Sequence, residues 1–78
     1  MMECFVCSAE SEKLPILGDW TELRCSDGCG HYRLSGTLER LLSVNQQRLH
    51  VAQTRGWLEA NRMTRPIPMI TDLTAIYG

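Results

Sequence analysis

The sequence predicts a small α+β domain, with short strands and turns in residues 1–36 and two or three α-helices in residues 37–78. Three observations predict it. Four cysteines, Cys4, Cys7, Cys25 and Cys29, fall in two close pairs within the first 29 residues. Around them, short apolar segments are punctuated by Gly, Asp and Pro, as strands are by turns. From Thr37 onward the apolar residues recur at helical spacing. The 78 residues make one domain, and a chain of this size buries only about 60% of its unfolded surface. Such a domain ordinarily draws extra stability from disulfides, a metal or a partner subunit.

The strands are read in chain order. Leu14-Pro15-Ile16-Leu17 is an apolar run that Pro15 confines to an edge position. Gly18-Asp19 reads as a turn. Trp20 to Arg24 follows as a half-buried strand that alternates in part, with Leu23 and Cys25 sharing a face with Thr21. Tyr32 to Leu34 makes a third short strand. Ser8 to Lys13 is polar and aperiodic, unlike a helix that a redox Cys4-x-x-Cys7 would open. No internal repeat or low-complexity tract is present.

Thr37 suits the cap of a first helix carrying Leu38, Leu41 and Leu42. A second helix is expected from about Gln46 to Arg62. At 100° per residue, Leu38, Leu41, Leu42, Leu49, Ala52, Gly56, Ala60 and Met63 share one sector. That phase would suit a single helix of about 26 residues, roughly 39 Å long. Against it, Ser43-Val44-Asn45-Gln46 fits a capping box, and Val44 with Leu49 fits a hydrophobic staple. Two helices broken near residues 43–46 are therefore preferred. Pro66 and Pro68 end the helical region, and Leu73 to Tyr77 is read as a short last helix.

The cysteine pairs are spaced Cys4-x-x-Cys7 and Cys25-x-x-x-Cys29, with 17 residues between them. Zinc takes four ligands in a tetrahedron, and a gap of two to four residues lets one tight turn present two sulfurs to a single ion. Two such turns brought together by a hairpin complete the site. Gly28 and Gly30 supply the backbone freedom that the second turn needs. A redox Cys-x-x-Cys would open a helix within a βαβ pattern, and nothing after Cys7 does so. Free thiols or disulfides remain the other readings, but one Zn2+ per chain is preferred.

The arrangement Cys4-x-x-Cys7, a strand-rich spacer with Trp20, then Cys25 to Cys29 followed by Gly30-His31-Tyr32, resembles a zinc ribbon. More narrowly it is similar to small four-cysteine modules heading bacterial proteins of unknown function. Their second pair leads into a Gly-x-Tyr strand and then helices. The run from Gly56 to Arg62 and the tail from Pro66 to Ile70 share that likeness. The resemblance implies an N-terminal ribbon-like subregion, 1–36, and a helical subregion, 37–78. The second pair departs from the two-residue gap usual in ribbons. Two candidates for the fourth ligand follow: Cys29, preferred because closed structural sites favour thiolate, and His31.

Four cysteine ligands would close the metal's coordination shell, whereas catalytic zinc keeps an open position. No nucleophile paired with a base and no phosphate loop is present, so the protein is expected not to be an enzyme and to have no small-molecule substrate. The start MMECFVCSAESEK has no basic or apolar stretch of signal-peptide type. No run approaches the roughly 20 apolar residues of a membrane span. A cytoplasmic chain with reduced thiols, off the membrane, is the expectation.

Charge is divided unevenly. Residues 1–30 sum to −4 and residues 31–65 to +4, and Asp72 completes the net −1. The two halves are suited to attract each other. Arg48, Arg55 and Arg62 recur every seven residues, making one stripe on the second helix that drifts about 20° per step. A solvated face pairing with the acidic half is the preferred reading. A nucleic-acid surface is the alternative, weakened by the absence of net positive charge. Ala52, Gly56 and Ala60 line a face suited to close helix packing. Val51 and Leu58 lie on another face, which asks for a cover, either the tail from Pro66 to Ile76 or a second subunit. The function expected is a zinc-stapled interaction or adapter protein that binds a protein partner or itself.

Overall fold

The computed structural model describes residues 2–15 and 18–78. Five strands form one sheet in the order β1-β2-β3-β4-β5: Met2–Glu3, Glu10–Leu14, Trp20–Cys25, His31–Ser35 and Met69–Ile70. The first four run as an antiparallel meander. Both helices, α1 (Gly36–Asn45) and α2 (Val51–Arg62), lie in the connection from β4 to β5, which therefore pair in parallel. A parallel return needs a long crossover, and the two helices provide it. Among the described residues no helix is long and apolar enough to cross a membrane.

The alternation read in β3 and β4 is present. Thr21, Leu23 and Cys25 on β3 face the core with Tyr32 and Leu34 on β4, and Leu23 sits directly opposite Tyr32. Leu38, Leu42, Leu49, Leu58 and Ile70 complete the apolar core, which continues into the four cysteines without a break. The other face of the same strands is polar. There Glu22 accepts from Arg33 Nε at 2.7 Å and pairs with His31 Nε2 at 2.8 Å, while the Arg33 guanidinium lies over the Trp20 ring. The Glu22 carboxyl is held below its ordinary range, first by the Arg33 hydrogen bond, against the opposing pull of burial.

Several expectations are corrected. The second strand forms on Glu10–Leu14, within the stretch that looks aperiodic. Its reason is pairing: Ser11 is buried opposite Cys25, and the charged neighbours Glu12 and Lys13 point outward. The expected edge run reaches only Leu14 and Pro15 here, since Ile16 and Leu17 fall outside the described residues. Helix α1 starts one residue before Thr37, and Ser35 is its cap, accepting from the Leu38 N–H.

The two-helix reading holds, with the break at residues 46–50. Gln46 ends α1 in the left-handed region. His50 begins α2 by accepting the Gln53 N–H on Nδ1 at 3.1 Å. A separate start frees α2 from the phase of α1, and it turns Thr54 and Leu58 inward rather than the small-residue face. Ala52, Gly56, Ala60 and Met63 are exposed, as is Val51.

The C-terminal segment forms no helix. Thr71 to Thr74 make a turn, and the chain then bonds alongside the residues between the helices. His50 N–H donates to Ile76 O, Gly78 N–H to Arg48 O, and Leu49 bridges Tyr77. Ahead of this, Pro68 O accepts the Arg33 N–H and Ile70 enters the core.

Candidate metal centre

Each cysteine pair sits on a loop that bends back on itself. After β1, the Cys4 N–H donates to Ala9 O and the Ser8 N–H to Cys4 O, closing the loop into β2. After β3, the Cys25 N–H donates to Gly30 O and so closes the loop into β4. In both, the backbone N–H two residues on points at the leading sulfur: Val6 to Cys4 Sγ at 3.4 Å and Asp27 to Cys25 Sγ at 3.3 Å. Ser26 ties the second loop to the second strand through Glu10 O.

The three-residue gap of the second pair is absorbed by glycine. Gly28 has φ of 110° and Gly30 has φ of 74°, a region that costs a side chain about 1–2 kcal/mol and glycine nothing. Gly28 carries the extra residue around the bend, so Cys29 still faces Cys7, and Gly30 turns the chain into β4.

The four sulfurs lie within 4.8 Å of one another. Cys7 Sγ is 3.5 Å from Cys25 Sγ and 3.6 Å from Cys29 Sγ. A tetrahedron with zinc–sulfur bonds of about 2.3 Å has sulfur–sulfur edges of about 3.8 Å, whereas a disulfide needs about 2.05 Å. All four cysteines are free, and their spacing has the dimensions of a metal site. Four thiol donors also suit zinc by softness and number.

His31 is not among them. It points to the polar face of the sheet and pairs with Glu22, so the geometry favours Cys29 over His31 as the fourth donor. The reason is strand alternation: Tyr32, the next residue, takes the inward place.

Tyr32 is a site residue that the sequence reading placed only in a strand. Its hydroxyl lies 3.1 Å from Cys4 Sγ and accepts the Phe5 N–H at 3.1 Å. Burial pushes the phenol pKa up, keeping it a neutral donor toward sulfur. Arg55 is another. Its Nε donates to Cys29 Sγ at 3.3 Å, and Nη2 donates to Asp27 O at 2.8 Å and lies 3.4 Å from Asp27 Oδ2. Arg62, one heptad on, donates to the carbonyls of Cys29 and His31. The expected arginine stripe is therefore broken. Arg48 precedes α2, while Arg55 and Arg62 turn onto the second cysteine loop. Their spacing of seven in the sequence was the available signal, together with the acidic loop residue Asp27.

The sulfurs differ electrostatically. Burial raises the Cys4 thiol, against the hydrogen bonds it receives, and burial raises Cys29 as well, against Arg55. Burial also acts to raise Cys25, but the Asp27 and Cys29 backbone N–H groups and the neighbouring thiols outweigh it and bring the group down to about 7. The Arg55 guanidinium is held charged by Cys29 and, next, by Cys7.

Fold and site together define a small α+β protein with a four-thiol cluster of metal-binding dimensions. No family model matches the chain, and neither does any curated protein or solved structure. The likeness to zinc ribbons thus rests on the two cysteine loops and the hairpin between them.

Proposed function

We propose that the chain binds one Zn2+ through Cys4, Cys7, Cys25 and Cys29 as a structural staple, and serves as a non-enzymatic interaction or adapter protein in the cytoplasm. The observation that carries the metal reading is the mutual approach of the four sulfurs within 4.8 Å. The staple joins the loop after β1 to the loop after β3. Through Arg55 and Arg62 it also fixes the helix that would otherwise hold the core by Thr54 and Leu58. Four thiolates fill the shell, which suits stabilisation better than turnover.

The adapter reading is supported by apolar side chains on the surface. Val44, Met63 and Leu73 are 73%, 88% and 91% exposed, apolar side chains that a protein partner or a second copy would cover. A nucleic-acid role has less support, because Arg55 and Arg62 spend their donors on the cysteine loop.

Elemental analysis of protein purified at neutral pH without chelator tests the metal. About one zinc per chain is expected, and fewer than about 0.5 would overturn the reading. Native mass measurement reports self-association. Binding to DNA or RNA that weakens steeply with salt would overturn the preference for a protein partner.

A further inference from the structure

The four sulfurs are not equivalent, and the difference assigns a modification site. Cys4, Cys25 and Cys29 are buried, whereas Cys7 is partly exposed. Donors are distributed in the same way. Cys4 faces the Val6 N–H and the Tyr32 hydroxyl, Cys25 faces the Asp27 N–H, and Cys29 faces Arg55 Nε. Cys7 Sγ meets the thiols of Cys25 and Cys29 at hydrogen-bonding distance, and the Arg55 guanidinium, bonded to Cys29, acts on it second. A hydrogen bond to a thiolate withdraws the electron density that a nucleophile uses, and burial blocks the approach of a reagent. Cys7 is the most exposed of the four cysteines, and no backbone N–H or hydroxyl is bonded to its sulfur as at Cys4 and Cys25.

We propose that Cys7 is the site at which oxidants and soft electrophiles attack this protein, and that Cys25 is the sulfur that resolves it. The inference rests on the zinc reading, since metal keeps all four sulfurs as thiolates. With hydrogen peroxide, the Cys7 thiolate attacks one peroxide oxygen, the O–O bond breaks, and hydroxide leaves a sulfenic acid on Cys7. The Cys25 thiolate, 3.5 Å away, then attacks that sulfur. The S–O bond breaks, a second hydroxide leaves and a Cys7–Cys25 disulfide remains.

The two hydroxides take protons from solvent and become water, so two thiolates are oxidised and one peroxide is reduced. Cys29 is almost as near to Cys7, at 3.6 Å, but it is held by Arg55 and is fully buried. Formation of the disulfide removes two of four ligands and releases the ion. The chain would then couple peroxide exposure to loss of its staple.

The test uses the zinc-loaded chain, with metal content measured first. Substoichiometric iodoacetamide is added, and the labelled peptides are mapped by fragmentation mass spectrometry. The first label is expected on Cys7, at least about tenfold ahead of Cys4 and Cys29. In a parallel sample, hydrogen peroxide is expected to give a Cys7–Cys25 disulfide, with one zinc appearing in solution for each disulfide formed. Fragmentation is needed because trypsin leaves Cys4 with Cys7 on one peptide and Cys25 with Cys29 on another. Uniform labelling, first labelling at a buried sulfur, or a disulfide within either peptide would overturn the assignment and leave the zinc site standing. A chain found without zinc at the outset overturns the metal reading and takes this inference with it.

Discussion

Arg55, in the second turn of α2, donates its Nε hydrogen to Sγ of Cys29, 26 residues earlier, at 3.3 Å. This bond joins the helical half of the chain to the cysteine half. It sets one positive charge against a site that would hold four negative sulfurs around a doubly charged ion. Arg33 with Glu22 and Arg55 with Asp27 are the ion pairs that join the basic and acidic stretches among the described residues.

Replacing Arg55 with Met keeps the stem and removes the donor and the charge. Partners that orient metal ligands ordinarily affect affinity by about 10–100-fold, and a loss in that range is expected for Arg55→Met. Competition against a chromophoric chelator measures it. Lys would restore charge without the planar fork that reaches both Cys29 Sγ and Asp27 O, so Arg55→Lys is expected to recover only part of the loss.

Tyr32→Phe removes one hydroxyl from a fully buried side chain. It leaves the Phe5 N–H without its acceptor and Cys4 Sγ without its neighbour. An unsatisfied buried donor costs about 1–3 kcal/mol, and a loss of that size is expected in denaturant unfolding of the zinc-loaded protein. An unchanged midpoint would show that the hydroxyl is not holding the first loop.

Much of this centre is legible in the sequence, because metal spacing is local: two short loops, each closed on itself, need little else to be recognised. The three-residue gap is explained by Gly28, a residue whose φ of 110° few others adopt. Less legible is whatever depends on two segments meeting. The strand Glu10–Leu14 has no pattern of its own and exists because it pairs with Trp20–Cys25. The phase of α2 was hidden by the break at residues 46–50, since apolar periodicity carries no information across a chain reversal. With Thr54 and Leu58 turned inward, Arg55 and Arg62 reach the cysteine loop and Ala52, Gly56 and Ala60 face water.

Without metal, the protein's stability should depend on pH through Cys25. Its pKa in the folded chain lies at about 7, below the ordinary 9.0. A lowered acid contributes stability that is fully present above the unfolded value and is lost as pH falls through the folded one. The raised thiols of Cys4 and Cys29 act with the opposite sign, but only around their ordinary 9.0 and above. The chelated protein is therefore expected to weaken as pH falls through about 7. The thiolate absorbance near 240 nm should show a step at about pH 7 that Cys25→Ser removes. With zinc bound, the same acidification protonates ligands and releases the ion, so the loaded protein should hold its fold to lower pH than the chelated one.

Gly56→Ala separates the observed orientation of α2 from the one the apolar phase suggests. A Cβ added at Gly56 meets nothing within 4 Å, and the residue lies within a regular helix. Alanine there reduces the entropy of the unfolded chain and is expected to stabilise the protein by about 0.5–1 kcal/mol. If Gly56 instead lay against the first helix, as a face of small residues would imply, the added methyl would crowd the contact and destabilise. Thermal unfolding of the zinc-loaded variant beside the parent reads the sign directly. A rise in midpoint places the small-residue face in solvent, while a fall would place it against a neighbour.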